Sequence, residues 1–161
     1  KIFNSEFMNM GLQISPFDAW LLTRGLRTLP VRLQKITGTT AKMVDWLRKQ
    51  PKIEEVLFPL SPDNIQYALA KKQMSGACGL VTVVMRVDTI EEIHKFCESL
   101  KHILMAVSWG GYESLALPGC AIVPPKDFDK NNRAHRMIRF YFGLEEPEYL
   151  AEDIAQALAC I

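Results

Sequence analysis

One long, periodic run of apolar side chains most constrains what this chain can fold into. Between residues 18 and 49 apolar residues recur at alternating intervals of four and three, with Thr40 filling the one gap; they are Leu22, Leu26, Leu29, Leu33, Ile36, Met43 and Leu47. Side chains at these intervals share one face of an α-helix, so the spacing predicts a helix over 18–49. Pro30 lies within the run and predicts a kink or a division of the helix there.

Two interpretations of this apolar stripe stay open. The helix either packs along its length on its own domain, or it bridges two domains or two subunits. Residues 1–16 are of mixed character and end at Ser15-Pro16. They are interpreted as a residual linker, and 17–161 as one domain that includes the long helix.

The rest of the chain predicts a small α/β (α+β) domain. Alternating or continuous apolar runs predict strands at 52–57, 79–87, 103–107, 113–117 and 137–142. Start signals and apolar stripes predict helices at 61–73, 90–100 and 147–161. The first of these opens at Ser61-Pro62-Asp63, and the second follows a capping-box spacing from Asp88 to Glu91. Together they predict a mostly antiparallel sheet with helices on one face.

Charge and cysteine usage exclude several classes of function. The 161 residues carry 19 basic and 18 acidic side chains, a formal net charge of +1, which predicts neither a nucleic-acid nor a membrane partner. The sequence contains no apolar run of about 18 residues, so no transmembrane helix is predicted. The four cysteines, Cys78, Cys97, Cys120 and Cys160, lack the spacing of a zinc site and are expected to be reduced thiols in the cytoplasm. The three histidines have no metal-ligand spacing either.

Arg139 is the first candidate functional residue. In the predicted strand 137–142, Ile138 and Phe140 share the apolar face, whereas Arg139 and Tyr141 share the opposite one. That arrangement points Arg139 away from the helices, onto a face that could hold a ligand or a second domain. A guanidinium fixed on a strand suits bidentate binding of a carboxylate. Taken alone, the residue is more simply interpreted as an ordinary solvated or ion-paired arginine.

The second candidate is the segment from Val107 to Ser114, which follows a buried strand and contains Gly110-Gly111. Paired glycines allow a tight turn whose N–H groups other atoms can approach. Ser108 offers a hydroxyl and an amide to an anion, and Trp109 offers a flat apolar wall. A strand-to-strand turn with a packing tryptophan is the plainer interpretation.

These segments resemble one known family along nearly the whole chain. SWGGYESL, followed by the tail IRFYFGLEEPEYLAEDIAQAL, is similar to the C-terminal domain of the Cys/Met-metabolism pyridoxal-phosphate enzymes. SPFDAWLLTRGLRTLPVRL is similar to the interdomain helix of that family, and MVDWLRKQPKIEEVLFP to the segment after it. Trp109 most resembles cystathionine β-lyase, since many relatives carry Leu at that step.

The resemblance implies a fold, an activity and roles for residues. The fold is the C-terminal domain of a fold-type I enzyme, and the activity is a carbon–sulfur lyase that releases a thiol, pyruvate and ammonia. Arg139 matches the arginine that binds the substrate α-carboxylate, and Ser108 the serine that assists it. Val107 stands where relatives place a Glu or Tyr that influences substrate choice, and Trp109 completes the substrate-binding set. The implied partners are a small amino-acid substrate, the chain's own large domain and further copies in a dimer or tetramer.

The resemblance also implies what the chain lacks. In this family the Schiff-base lysine, the acid beside the pyridine nitrogen and the phosphate site lie outside the C-terminal domain. No catalytic or cofactor-binding residue is therefore assigned here, and the chain alone is expected to be inactive. Thr39-Thr40-Ala41-Lys42 is the nearest look-alike, but Lys42 is expected on the surface of the long helix.

Three functions remain as alternatives. The chain is a fragment of a β-lyase, a fragment of a sibling enzyme such as a cystathionine γ-synthase, cystathionine γ-lyase or methionine γ-lyase, or a stand-alone binding and assembly module. It begins KIFNSEF without an initiating Met, which favours a fragment or a processed product. If the large domain is missing, the surface around Phe17, Trp20 and Leu21 is expected to be exposed.

Overall fold

Four α-helices and five strands form the part of the chain that the computed structural model describes, which is residue 6, residues 14–77 and residues 79–161. The helices are α1 Pro16–Leu47, α2 Tyr67–Gln73, α3 Ile90–Ser99 and α4 Pro147–Leu158. The strands are β1 Ile53–Leu57, β2 Leu80–Met85, β3 Leu104–Met105, β4 Leu115–Pro118 and β5 Met137–Tyr141. Short 3₁₀ helices at Pro125–Asp127 and Arg133–Arg136 interrupt the long segment between β4 and β5. Within these described residues, no helix is both long and apolar enough to cross a membrane.

Helix α1 begins two residues before the predicted start and ends two residues before the predicted end. Its first turn is capped by Ser15, whose Oγ accepts a hydrogen bond from the N–H of Asp18 at 3.1 Å, and Pro16 suits the first helical position. The helix continues through Pro30, so the predicted division does not occur. Most of the predicted linker 1–16 lies outside the described residues.

The long helix spans a boundary between two compact units, residues 1–33 and 34–161. In the first unit the apolar stripe is exposed at Leu22, Leu26 and Leu33, and Phe17 and Trp20 are exposed as well. In the second unit the stripe is buried at Ile36, Thr40, Met43 and Leu47. Within the second unit, the helix therefore packs on its own domain, as one of the two interpretations of the stripe expects.

The sheet has the strand order β1-β2-β5-β4-β3. All neighbouring strands are antiparallel except β3 and β4, which run parallel. The prediction of a small, mostly antiparallel sheet is confirmed. The last strand of the chain, β5, occupies the centre, between β2 and β4.

One face of the sheet carries the main core. Alternate side chains of β2 and β5 point to this face and pack against the end of α1, against α3 and against α4, as the predicted layer of helices requires. The largest fully buried side chains in this core are Met43, Leu47, Met85, Ile93, Phe96, Ile138, Phe140, Phe142, Leu150 and Ile154.

Two helix starts differ from their prediction. The capping box of α3 is formed by Thr89 and Glu92, one residue later than predicted. The Thr89 Oγ1 accepts a hydrogen bond from the Glu92 N–H, and the Glu92 carboxylate accepts one from the Thr89 N–H. Helix α2 begins at Tyr67 rather than near Ser61. The Asn64 Oδ1 accepts from the Gln66 N–H at 2.8 Å, and this side-chain turn replaces the first helical turn.

Asp153 joins α4 to the segment after α3. Its buried carboxylate accepts hydrogen bonds from the backbone N–H groups of Lys101, His102 and Ile103 at 2.8–3.0 Å. Burial by itself raises the pKa of Asp153, but these hydrogen bonds, with a further one from Gln156, outweigh that effect and hold the pKa below its ordinary value. A buried aspartate therefore fixes the chain just before β3.

Candidate functional site

Arg139 lies in the middle of the central strand, on the face opposite the main core. The sheet register places Thr82 of β2 on one side of it and Leu117 of β4 on the other. The side chain is half-buried. The predicted orientation, away from the helices, is therefore observed for Arg139.

Tyr141 shares this face but is buried, contrary to the expectation of an open surface. It forms a second small core with Ile36 of α1 and Leu115 of β4. Its ring also lies against Gly79, whose backbone has φ of +62° and where any β-carbon would overlap the ring. Among the described residues of this face, the surroundings of Tyr141 are closed, whereas the Arg139 end stays accessible.

Arg139 and the Val107–Ser114 segment, some thirty residues apart in sequence, meet in space. The Nη2 group of Arg139 donates to the carbonyl oxygen of Val107 at 2.6 Å and to that of Ser108 at 3.3 Å. These bonds use one nitrogen of the guanidinium. A guanidinium carries five N–H donors, so the remaining ones can still engage a carboxylate.

The turn itself presents its side chains to solvent. Val107 and Trp109 are 74% and 62% exposed, and Ser108 is exposed too. Gly110 has φ of +89°, which explains why a glycine is needed at that position. The Tyr141 hydroxyl donates to the Gly111 carbonyl oxygen at 3.0 Å and ties the turn to β5. All four predicted substrate-binding residues thus lie at one place.

An apolar cleft of about 500 Å³ opens beside Arg139. Its walls come from Val107, from β4 and the loop after it, and from Met137 at the start of β5. Among the described residues that line it, Arg139 carries the only charge. The cleft can therefore hold an apolar group whose anionic end lies on the guanidinium. The cleft is not predictable from local sequence, because the loop 118–124 has no apolar periodicity.

Among the described residues beside Arg139, none is arranged to hold a cofactor. The described lining of the cleft includes no lysine. Lys42 is exposed on α1, where its Nζ lies 3.8 Å from the Glu148 carboxylate. An amine paired with a carboxylate in open solvent is a poor candidate for a Schiff base. The described residues around the cleft therefore offer one cationic group, Arg139, beside an apolar surface.

The other candidate groups are dispersed. Within the described part of the chain, no group of three or more His, Cys, Asp or Glu side chains is placed to bind a metal ion. Cys97, Cys120 and Cys160 are free thiols, and Cys78 lies outside the described residues. Burial raises the pKa of Cys97 to about 12 and also raises that of Cys120. Such thiols are structural rather than nucleophilic.

Comparison with known proteins gives one family. The family model for Cys/Met metabolism PLP-dependent enzymes matches residues 3–159. Cystathionine gamma-lyase of Rattus norvegicus is 37% identical over 154 residues, which cover 93% of this chain. L-alanine/L-glutamate racemase of Wolbachia pipientis wMel is 33% identical over 160 residues, or 99% of this chain. The chain spans only 38% and 40% of the length of these relatives.

Solved structures agree with the sequence matches. O-acetylhomoserine sulfhydrylase of Wolinella succinogenes superposes with a TM-score of 0.83 at 32% identity, covering 96% of this chain and 42% of its own. A Campylobacter jejuni structure described as an O-acetylhomoserine (thiol)-lyase gives 0.82 at 26% identity, covering 98% and 38%. That structure carries N'-pyridoxyl-lysine-5'-monophosphate.

Proposed function

Because the chain belongs to the Cys/Met metabolism PLP-dependent enzyme family, we propose that it forms the C-terminal, substrate-carboxylate side of a carbon–sulfur lyase. The proposed reaction removes the β-substituent of an amino acid such as cystathionine, as in cystathionine β-lyase. A thiol leaves, and the remaining three-carbon unit ends as pyruvate and ammonia. The cofactor, held by residues outside this chain, supplies the electron sink for that elimination.

The observation that supports this proposal most directly is the pair of hydrogen bonds from Arg139 to the carbonyl oxygens of Val107 and Ser108. The two hydrogen bonds from Nη2 fix the guanidinium plane against the turn. A substrate carboxylate would then bind the remaining donors of Arg139, assisted by the Ser108 hydroxyl. Trp109 would form one wall, and the cleft beyond Val107 would receive apolar atoms of the substrate.

A γ-elimination of the same substrate class is the second candidate. It is supported by the identity of 37% to a cystathionine gamma-lyase, while Trp109 supports the β-lyase. Incubating the intact, cofactor-loaded enzyme that contains this chain with cystathionine separates the two, because β-elimination gives pyruvate and γ-elimination gives 2-oxobutyrate. Predominantly 2-oxobutyrate would refute the β-lyase proposal.

We propose further that the 161-residue chain alone is inactive and binds no pyridoxal phosphate. The exposed, ion-paired position of Lys42 supports this. Adding the cofactor to the chain should produce no Schiff-base absorbance band. A band that is present in the wild type and abolished by Lys42→Ala would overturn the proposal.

Assembly with other subunits and a cytoplasmic location stay predictions. The exposed Phe17, Trp20 and Leu22 on the first part of α1 support a covered surface in the intact protein. Reduced, buried Cys97 and Cys120 are compatible with a reducing compartment. Sedimentation of the intact, cofactor-loaded enzyme that contains this chain would give its oligomeric state.

A further inference from the structure

We infer that Glu145 is a positioning residue for the carboxylate site, holding the Ser108–Tyr112 turn in place without touching substrate. The inference rests on the proposed role of Arg139. It begins from the exposure of the turn. Ser108, Trp109 and Gly110 are exposed and have no regular structure, so the site needs anchors at both ends of the turn.

The first end of the turn is anchored by the arginine itself. Arg139 donates to the Val107 and Ser108 carbonyl oxygens. If the turn moved, these bonds would break or would draw the guanidinium with them. The position of the turn and the orientation of the Arg139 guanidinium are therefore linked.

The second end is anchored by the segment that directly follows β5. The Leu144 N–H donates to the Tyr112 carbonyl oxygen at 2.8 Å. The Glu145 carboxylate then takes both donors of Ser114, accepting from its N–H through Oε1 and from its hydroxyl through Oε2, each at 2.8 Å. Ser114 is completely buried, so neither donor has water as an alternative partner.

The hydroxyl of Ser114 closes this network. Its Oγ accepts from the Gly143 N–H at 2.9 Å while its hydrogen goes to Glu145. The hydroxyl is thereby fixed in orientation. On its other side Glu145 is held by α1, since the Thr39 Oγ1 donates to the Glu145 carbonyl oxygen at 3.4 Å.

Arg139 and Glu145 lie at the two ends of one continuous stretch of seven residues, 139–145, which runs along β5 and past its end. Strand β5 is central in the sheet, so both anchors have a rigid base. The carboxylate of Glu145 thus sets where Ser114 and Tyr112 lie, and through the turn it sets where the Val107 and Ser108 carbonyls meet Arg139. A small displacement of a binding group can cost far more in rate than in stability.

The test uses Glu145→Gln, which keeps the size of the side chain. The amide has one acceptor and one donor where two acceptors are needed, so one Ser114 donor loses its partner. Glu146→Gln is the matched control. It makes the same charge change one residue later, at an exposed side chain whose partner is Lys35 rather than the turn.

The first readout is the mobility of Trp109 in the chain itself. Trp20→Phe with Trp46→Phe leaves Trp109 as a fluorescent reporter in the turn, and Trp20→Phe with Trp109→Phe leaves Trp46 of α1 as an internal reference. Glu145→Gln should lower the residual fluorescence anisotropy of Trp109 and leave that of Trp46 unchanged, while Glu146→Gln changes neither. Unchanged Trp109 anisotropy, or an equal loss at both tryptophans, overturns the positioning role.

The second readout is kinetic. In the intact, cofactor-loaded enzyme that contains this chain, Glu145→Gln should raise KM for the amino-acid substrate by about tenfold, with a smaller change in kcat. Combining it with Ser114→Ala should add little, because the two residues act as one unit. Unchanged KM beside a raised KM in Arg139→Lys overturns only the role of Glu145. Unchanged KM in Arg139→Lys instead overturns the proposed carboxylate site.

Discussion

The Nη2 atom of Arg139 lies 2.6 Å from the carbonyl oxygen of Val107, so a central strand and an exposed turn share one guanidinium. This relationship makes two functions of Arg139 separable. Binding the turn requires a donor, which lysine also provides, whereas binding a carboxylate at the same time requires the planar fork of an arginine.

Arg139→Lys should therefore lower kcat/KM for the amino-acid substrate by about a hundredfold, mainly through KM, and lower stability by no more than about 1 kcal/mol. Steady-state kinetics and urea unfolding check the two parts. Arg86→Lys, at an exposed arginine just after β2, is the control and should change neither. A loss of activity no larger than in the control would contradict the role of Arg139.

The apolar lining of the cleft beside Arg139 leads to a prediction about which carboxylates bind most tightly. Straight-chain monocarboxylates from propanoate to hexanoate should inhibit competitively, with Ki falling about fourfold per added methylene as the chain enters the apolar cleft. Ile122→Ser at the rim should flatten this dependence. Equal inhibition by dicarboxylates of the same length would argue against an apolar cleft that receives the substrate.

Gly79→Ala should destabilise the chain by about 3 kcal/mol. Its φ of +62° is strained for any other residue, and a β-carbon there would overlap the Tyr141 ring. Gly76→Ala is the control, because no atom lies within 4 Å of a β-carbon there. Urea unfolding of the two variants gives the comparison, and equal midpoints would show that Tyr141 can move aside freely.

Asp153 should contribute to the decrease in the free energy of unfolding at low pH. Its pKa is lowered in the folded state, so its contribution is complete above the unfolded-state pKa of about 3.9 and is lost as pH falls through the lower folded value. Asp153→Asn should lower the free energy of unfolding at pH 7 by about 2 kcal/mol and remove that part of the pH dependence.

Unfolding by urea between pH 2 and pH 7 measures this contribution. Glu152→Gln, an exposed neighbour on the same helix, should retain the wild-type pH profile. Parallel pH profiles for the wild type and Asp153→Asn would mean that the carboxylate contributes nothing through its charge.

Thiol chemistry provides a further prediction. With its pKa raised to about 12 by burial, Cys97 should react with iodoacetamide at pH 8 only as fast as the chain unfolds. Cys160, which is half-buried near the end of the chain, should react sooner. Peptide mass spectrometry after timed labelling distinguishes them, and equal rates would show that the core around Cys97 opens readily.

Local patterns were sufficient to predict much of the fold. The helical stripe, the alternating strands and the two faces of β5 depend on side chains within a few residues of one another. Boundaries were less predictable because they depend on competing hydrogen bonds. Thr89 and Asp88 are both good capping residues, and only the geometry of the turn selected Thr89.

The candidate site was predictable as a set of residues but not as an arrangement. Nothing near Arg139 in sequence indicates that its partners are the carbonyls of Val107 and Ser108. The burial of Tyr141 depends on Ile36, a hundred residues away. Glu145 was overlooked because an acid among several in the tail carries no local sign that it meets a buried serine.

The central position of β5 has a consequence for how the protein is made. Its two neighbours in the sheet, β2 and β4, do not pair with each other, and β5 begins only at Met137. A nascent chain can therefore form the antiparallel β1–β2 pair but cannot close the sheet until residues 137–141 have been made. A chain that stopped before residue 137 would present two open strand edges to its neighbours, which is a direct route to aggregation.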